Sequence, residues 1–237
     1  MIVSIMQPAY LPWPGYFHRI MSSDLHIVLD NVAIDCNSKT KFTNRNRIRT
    51  PQGFSWLTIP LKAASPSRMI NALQTAEDAD WRRKHLRTLD QFYAKAPHYT
   101  EQRQWLEPLL LSRTDSLLQS ITPITNALKA VLGIETPSVS SSTLPVTSTK
   151  SQLIVDLCVA VGATTYLSGP FGRAYLELDA FAAWGITVLF HDYAPQPYTQ
   201  CFKGFVPALS VVDMLFNQGP ETPGIIRSGQ NASLSKE

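Results

Sequence analysis

Acidic residues are the first thing missing. Between Cys36 and Ala76 there is not one Asp or Glu, while Lys39, Lys41, Arg45, Arg47, Arg49, Lys62 and Arg68 all fall inside that window. Charge is scarce elsewhere too, at 16% of 237 residues against 44% hydrophobic. The net charge of +3 is too small for a dedicated nucleic-acid binder, so the local basic stretch matters more than the total. Cysteine is scarce: Cys36, Cys158 and Cys201 are scattered, with no CxxC or His–Cys spacing for zinc and no disulfide framework. No apolar run reaches the length of a membrane span. Ile2–Met6 is too short for a signal-sequence core and has no basic residues before it. These absences lead us to expect a soluble chain in a reducing cytoplasm, with no metal, cofactor or disulfide. GxGxxG, P-loop and GxSxG signatures are also missing, which argues against dinucleotide, Walker-type and serine-hydrolase chemistry.

What is present is concentrated between Met1 and Pro60. Ile2 to Met6 is apolar and β-branched, which suits a buried strand. Gln7-Pro8 stops it, and Pro12 and Pro14 stiffen the loop that follows. Tyr16, Phe17 and Ile20 recur at helical spacing, and Leu25 to Leu29 reads as a second buried strand ending at Asp30. Strand, helix and strand make a βαβ unit whose two strands are parallel. Ligands in open parallel sheets bind beyond the carboxyl ends of the strands, where Gln7 and Asp30 are expected to face one crevice.

The basic stretch is read as a loop. Asn44-Arg45-Asn46-Arg47 alternates amides with guanidinium forks, which match the oxygens of phosphate and carboxylate. If it is extended, Arg45 and Arg47 share one face for an anion, and Asn44 and Asn46 share the other.

Further along, Phe54 to Leu61 reads as a strand. A helical subdomain is expected over about 78–133, starting at Asp78, with a kink or break at Pro108 and Pro123 in a first turn. The second half repeats helix, strand, helix, strand. Thr149 is its candidate N-cap, with Gln152 completing a capping box. Thr164 to Leu167 is a strand, Ser168–Gly172 a turn, Ala174 to Trp184 a helix and Ile186 to Phe190 a strand. The fold class is α/β: a mainly parallel sheet with Rossmann-like βαβ units and a helical insert, in one domain over 1–219. Residues 220–237 are read from their composition as a disordered tail.

Candidate site residues follow from this layout. Tyr10 and Trp13, in the proline-stiffened loop, are placed at the site, whereas Trp56 is assigned to the core. Ser168 and Gly169 could present backbone N–H groups to an anion at a helix start. His18 and His191 are candidate general bases, and Asp30 is a third; His26 is assigned to packing. Cys36, beside the basic segment, could carry an acyl group. Trp13-Pro14-Gly15-Tyr16 stands where nucleotidyltransferases of similar shape carry HxGH, but both histidines are absent.

The segments QPAYLPWPGYF, LDNVAI, NRNRIRTPQGFSWLTIP, YLSGPFGRAYL and FVPALSVVDMLFNQG together resemble the WbqC-like family, over about Met1 to Gly219. That bacterial family is often found in surface-polysaccharide and other biosynthetic gene clusters. The resemblance implies a transferase, and acyl or aminoacyl transfer to an amino sugar is the role it suggests. The expected partner is a small-molecule anionic donor or a nucleotide-linked sugar. In that reading Arg45 and Arg47 hold the anion, Gln7, Asn44 and Asn46 orient the reacting groups, and Asp30 or His18 takes the proton. Two alternatives stay open: a non-catalytic protein that binds a phosphate-bearing ligand, and a nucleotidyltransferase-like enzyme lacking HxGH.

Overall fold

The computed structural model describes residues 1–34, 42–63, 65–76 and 80–231. Asp78, the expected start of the helical segment, and Cys36, Lys39 and Lys41 lie outside the described residues.

The chain opens with strand β1 (Ile2–Met6), helix α1 (Pro14–Met21) and strand β2 (Leu25–Val28). β1 and β2 pair in parallel, with Val3 opposite Leu25 and Met6 opposite Val28. A long insertion follows. It holds the hairpin β3 (Arg45–Thr50) and β4 (Gly53–Thr58), then helices α2 (Trp81–Tyr93), α3 (Tyr99–Leu111) and α4 (Leu117–Val131). The main sheet resumes with β5 (Ser138–Ser140), α5 (Lys150–Ala160), β6 (Thr165–Ser168), α6 (Leu178–Ala182) and β7 (Thr187–Phe190). The chain then adds β8 (Tyr193–Ala194), α7 (Val211–Gln218), α8 (Thr222–Arg227) and β9 (Gln230–Asn231).

The five-stranded sheet runs in the order β5-β2-β1-β6-β7, and every pairing in it is parallel. The strand order therefore reverses at β1: the chain first builds outward to β2 and β5, then crosses back to β6 and β7. Side-chain alternation along β1 divides the core into two layers. Val3 and Ile5 join the apolar side chains of α5 and α6, including Leu157 and Phe181. Met6 joins Tyr16, Phe17 and Ile20 of α1 and the apolar faces of α2, α3, α4 and α7. Helices cover both faces, so the sheet is buried and its strands read as apolar runs.

Several local expectations are corrected. The basic stretch is not a loop; from Arg45 onward it is a strand paired antiparallel with β4. Helix α3 continues through Pro108, and Pro123 sits well inside α4 rather than in a first turn. Both prolines are exposed, so the carbonyls they leave unbonded can reach water. α4 starts at the Ser116 cap instead, whose Oγ accepts from the amide of Gln119. Thr149 precedes α5 without a side-chain cap bond, and the Gln152 amide donates to Asp156 Oδ1 instead. The helix expected over Ala174 to Trp184 reduces to a 3-10 turn at Pro170–Ala174 and the short α6.

The stretch after Gly219 is ordered through 231, not a tail. Ile226 is fully buried and Ile225 packs on the same core, and α8 lies against α1. Its Gly- and Ser-rich composition hid those two isoleucines. Among the described residues, no helix is long and apolar enough to cross a membrane.

Candidate functional site

A cavity of about 570 Å³ opens beyond the carboxyl ends of β1, β6 and β7, at the reversal of strand order. This is where an open α/β sheet leaves a crevice, because the connections on its two sides run away in opposite directions. Four segments build most of the wall. The loop after β1 brings Gln7, Pro8 and Trp13; α1 brings Gly15, Tyr16 and Arg19. The turn after β6 brings Gly169 to Gly172, and the end of β7 brings His191 and Tyr193. No Asp or Glu is among the described lining residues.

Arg19 is the cation of this cavity. It is half-buried, and its Nε is shielded from solvent with no hydrogen-bond partner. No salt bridge reaches it among the described residues. Burial holds its pKa below the usual arginine value, partly offset by the neighbouring tyrosines Tyr166, Tyr16 and Tyr175. Its guanidinium lies against the backbone at Gly169: a Cβ there would stand 2.7 Å from Nη2 and 2.9 Å from Nη1. Any side chain there would push the guanidinium aside.

Behind this wall, His18 Nδ1 and His191 Nε2 are 2.7 Å apart, so a single proton sits between the two rings. Both imidazoles are held neutral. Burial lowers the pKa of His18; burial, then the charges of Arg19 and His18, lowers that of His191 to about 3. His191 lines the cavity and His18 stands behind it, with the Tyr193 ring 4.9 Å from His18. A proton leaving a ligand for His18 would therefore pass through His191.

The structure divides the residues singled out from sequence. Gln7, Trp13 and Gly169 come together in the cavity, with Gln7 exposed and accepting at 3.4 Å from Thr43 Oγ1. Tyr10 does not reach it: the side chain is fully enclosed, and its hydroxyl is 2.9 Å from His85 Nδ1. Ser168 is buried, and its hydroxyl donates to the carbonyl of Gly169. With only a 3-10 turn following, no helix dipole is aimed at an anion there.

Asp30 ends β2 beside β1, but its carboxylate turns toward β5. It accepts from Ser141 Oγ at 3.0 Å, Ser142 N at 2.9 Å and Ser142 Oγ at 2.7 Å. Gln7 and Asp30 thus leave neighbouring strand ends in different directions, one into the cavity and one onto the turn that follows β5.

The alternation within β3 puts the asparagines inside. Asn46 Nδ2 donates to the carbonyls of Leu11 at 2.7 Å and Tyr10 at 3.3 Å, bracing the loop behind the cavity. Asn44 Nδ2 donates to the Ile59 carbonyl at 2.8 Å. Arg45 and Arg47 point the other way and stack on aromatic rings: Arg45 lies 4.4 Å from the Trp56 centroid, and Arg47 5.0 Å from that of Phe54. Trp56 is accordingly half-buried, serving these arginines rather than the core. Neither arginine lines the cavity, although Arg47 donates at 2.9 Å to the carbonyl of Ala208, which does.

Sequence reasoning passed over Arg19, Tyr166, Tyr175 and Tyr193. The available signal was the absence of any acidic residue before Asp24, which leaves Arg19 without a nearby carboxylate in sequence. Among the described residues no group of His, Cys, Asp or Glu is arranged to hold a metal ion.

Comparison with known proteins bears on the whole chain. The uncharacterized protein Rv1507c of Mycobacterium tuberculosis is 34% identical over 227 residues, covering 95% of this chain and 97% of that protein. No solved structure matches. The WbqC-like protein family profile matches residues 7–225, from the cavity's Gln7 through the core helices to α8. On that coverage, and on the relative aligned along nearly its full length, the chain belongs to the WbqC-like family.

Proposed function

We propose that this protein is a biosynthetic transferase that moves an acyl or aminoacyl group from a small anionic donor to an amino acceptor such as an amino sugar. The observation that carries the reading is the cavity at the strand-order reversal, which is acid-free, cationic at Arg19 and walled by aromatic rings such as Trp13 and Tyr166. An anionic donor is favoured there because no carboxylate among the described lining residues repels it. The rings offer flat apolar surface to a sugar or a base. In the transfer, the acceptor nitrogen attacks the donor carbonyl, the new C–N bond forms as the bond to the leaving group breaks, and the nitrogen sheds one proton. Gln7 orients the reacting groups, and the His191–His18 pair receives the proton. Asp30 is left out of this role because its oxygens are held by Ser141 and Ser142.

A second reading is a protein that binds such a ligand without turning it over. It is favoured by the low pKa of His191, which makes that imidazole a weak base. Incubation of purified protein with acyl and aminoacyl donors and amino sugars, followed by mass spectrometry, separates the two. Transferase activity yields the amide, whereas a binder only raises the melting temperature. Absence of amide with every donor that raises the melting temperature sinks the transferase reading.

A further inference from the structure

We propose that Arg19 and the backbone at Gly169 form a phosphate-binding subsite, so that the cavity takes a ring-bearing phosphorylated molecule the size of a mononucleotide or sugar phosphate. The inference rests on the cavity being the ligand site but not on any transfer occurring there.

A buried guanidinium without a carboxylate is costly, because its charge has left water and gained no counter-charge. Where such groups persist, a bound anion is the natural compensation. Half-buried Arg19 shows this at its shielded Nε, which has no bond; no salt bridge reaches the side chain among the described residues, and its neighbours Tyr16, Tyr166 and Tyr175 are neutral phenols at physiological pH. Tyr193, on the same wall, has a buried hydroxyl that is also without a partner. The cavity wall therefore carries an unmatched cation, which suits an oxyanion. Phosphate is favoured over carboxylate because it brings the larger negative charge to an unmatched cation and fills the guanidinium fork with two of its oxygens.

Gly169 supplies an independent line of argument. Its φ of −75° is ordinary for any residue, so nothing in the backbone calls for glycine. The requirement is space, since a Cβ would intrude on both terminal nitrogens of Arg19. The side chain is seated against the turn, on the wall of the cavity. Trp13 and Phe42 then offer apolar surface to the ring that carries the phosphate.

The test measures binding by calorimetry for inorganic phosphate, pyrophosphate, uridine 5′-monophosphate, glucose 1-phosphate and the neutral parents uridine and glucose. Wild-type protein is compared with Arg19→Gln, Arg19→Lys and Gly169→Ala. Phosphorylated probes should bind at least tenfold more tightly than their neutral parents. Arg19→Gln should weaken them by roughly ten- to hundredfold, and Arg19→Lys should restore part of that because it keeps the charge and loses the fork. Gly169→Ala should weaken them in the same order, by displacing the guanidinium; this keeps the test open if Arg19→Gln does not fold.

Equal binding of uridine and its monophosphate overturns the proposal. So does undiminished phosphate binding in a folded Arg19→Gln or Gly169→Ala variant, and so does failure of every phosphorylated probe to bind at millimolar concentration. Binding with the expected losses but no amide formation leaves the subsite standing and counts against the transferase. Amide formation that ignores Arg19 does the reverse.

Discussion

Replacement of Asp30 separates a strut from a catalyst. Its carboxylate is almost completely buried and accepts three hydrogen bonds from the turn after β5, two from Ser142 and one from Ser141. In Asp30→Ala all three are lost. Ser141 Oγ retains Asn31 Oδ1 as a partner, and Ser142 is exposed, so its hydroxyl recovers water. The net cost is then below the sum of three charged bonds, at about 3–4 kcal/mol. For a chain of this size that lowers Tm by about 6–16 °C. Asp30→Asn keeps one acceptor oxygen but turns an NH₂ group toward one of the serine donors, for about 1–2 kcal/mol. The assay is thermal unfolding of both variants beside amide formation and phosphate-probe binding at a temperature where all are folded. Both variants should melt early, Ala earlier than Asn, with binding and turnover close to wild type. The reasoning fails if Asp30→Asn melts like wild type and loses two or more orders of magnitude in turnover, the pattern of a general base.

Other expectations concern the core. Tyr93 is fully buried; its hydroxyl donates to Asp213 Oδ1 at 2.7 Å and accepts from the Arg49 amide at 2.8 Å. Tyr93→Phe strands the Arg49 amide and leaves the Asp213 carboxylate with Tyr198 and Gln200, and should cost about 2–4 kcal/mol in denaturant unfolding; a loss under about 1 kcal/mol contradicts this. Burial lowers the pKa of His26 and His191 to about 3 and of His85 to about 4, from an ordinary 6.5. Folded values below the unfolded one mean that the unfolded chain binds more protons in this window. Stability is thus fully present above about pH 6.5 and falls as pH drops toward 4, by up to about 1.4 kcal/mol per pH unit for each histidine. Melting curves from pH 7 to 4 check this, and a flat profile rules it out. Cys158 is completely buried and its thiol is pushed up to about 12. A thiol reagent should label it only after unfolding, as peptide mapping would show.

How much could be read in advance depended on whether the signal was local. The βαβ unit from Ile2 to Leu29 was legible because apolar periodicity and prolines agreed along one short stretch. The two-residue alternation of Asn44 to Arg47 gave the correct faces, because period-two geometry holds for any extended segment. What the arginines meet was not legible: Trp56 and Phe54 lie across the hairpin, and which strand pairs with which is not written in either strand. Arg19 escaped notice for a related reason. On a helix its spacing reads as a polar face, and the turn it is seated against, at Gly169, lies 150 positions away. Asp30 misled because both readings agree on its place at a strand end; only the serines of a turn more than a hundred residues later decide where its oxygens point.

The central position of β1 has a consequence for how the protein is made. β1 leaves the ribosome well before β6, one of its two partners, and the Met1 amine donates to Thr164 Oγ1 across 163 positions of sequence. During synthesis the nascent chain can pair β1 with β2 early, but the opposite edge stays open until the last third has emerged. For that interval an apolar strand edge is available to the wrong partner. Half of the cavity is also still unmade, since Gly169, His191 and Tyr193 come after β6. Truncated products should therefore aggregate rather than retain partial binding, and quality control acting on the nascent chain would see a protein whose most buried strand is the last to be closed in.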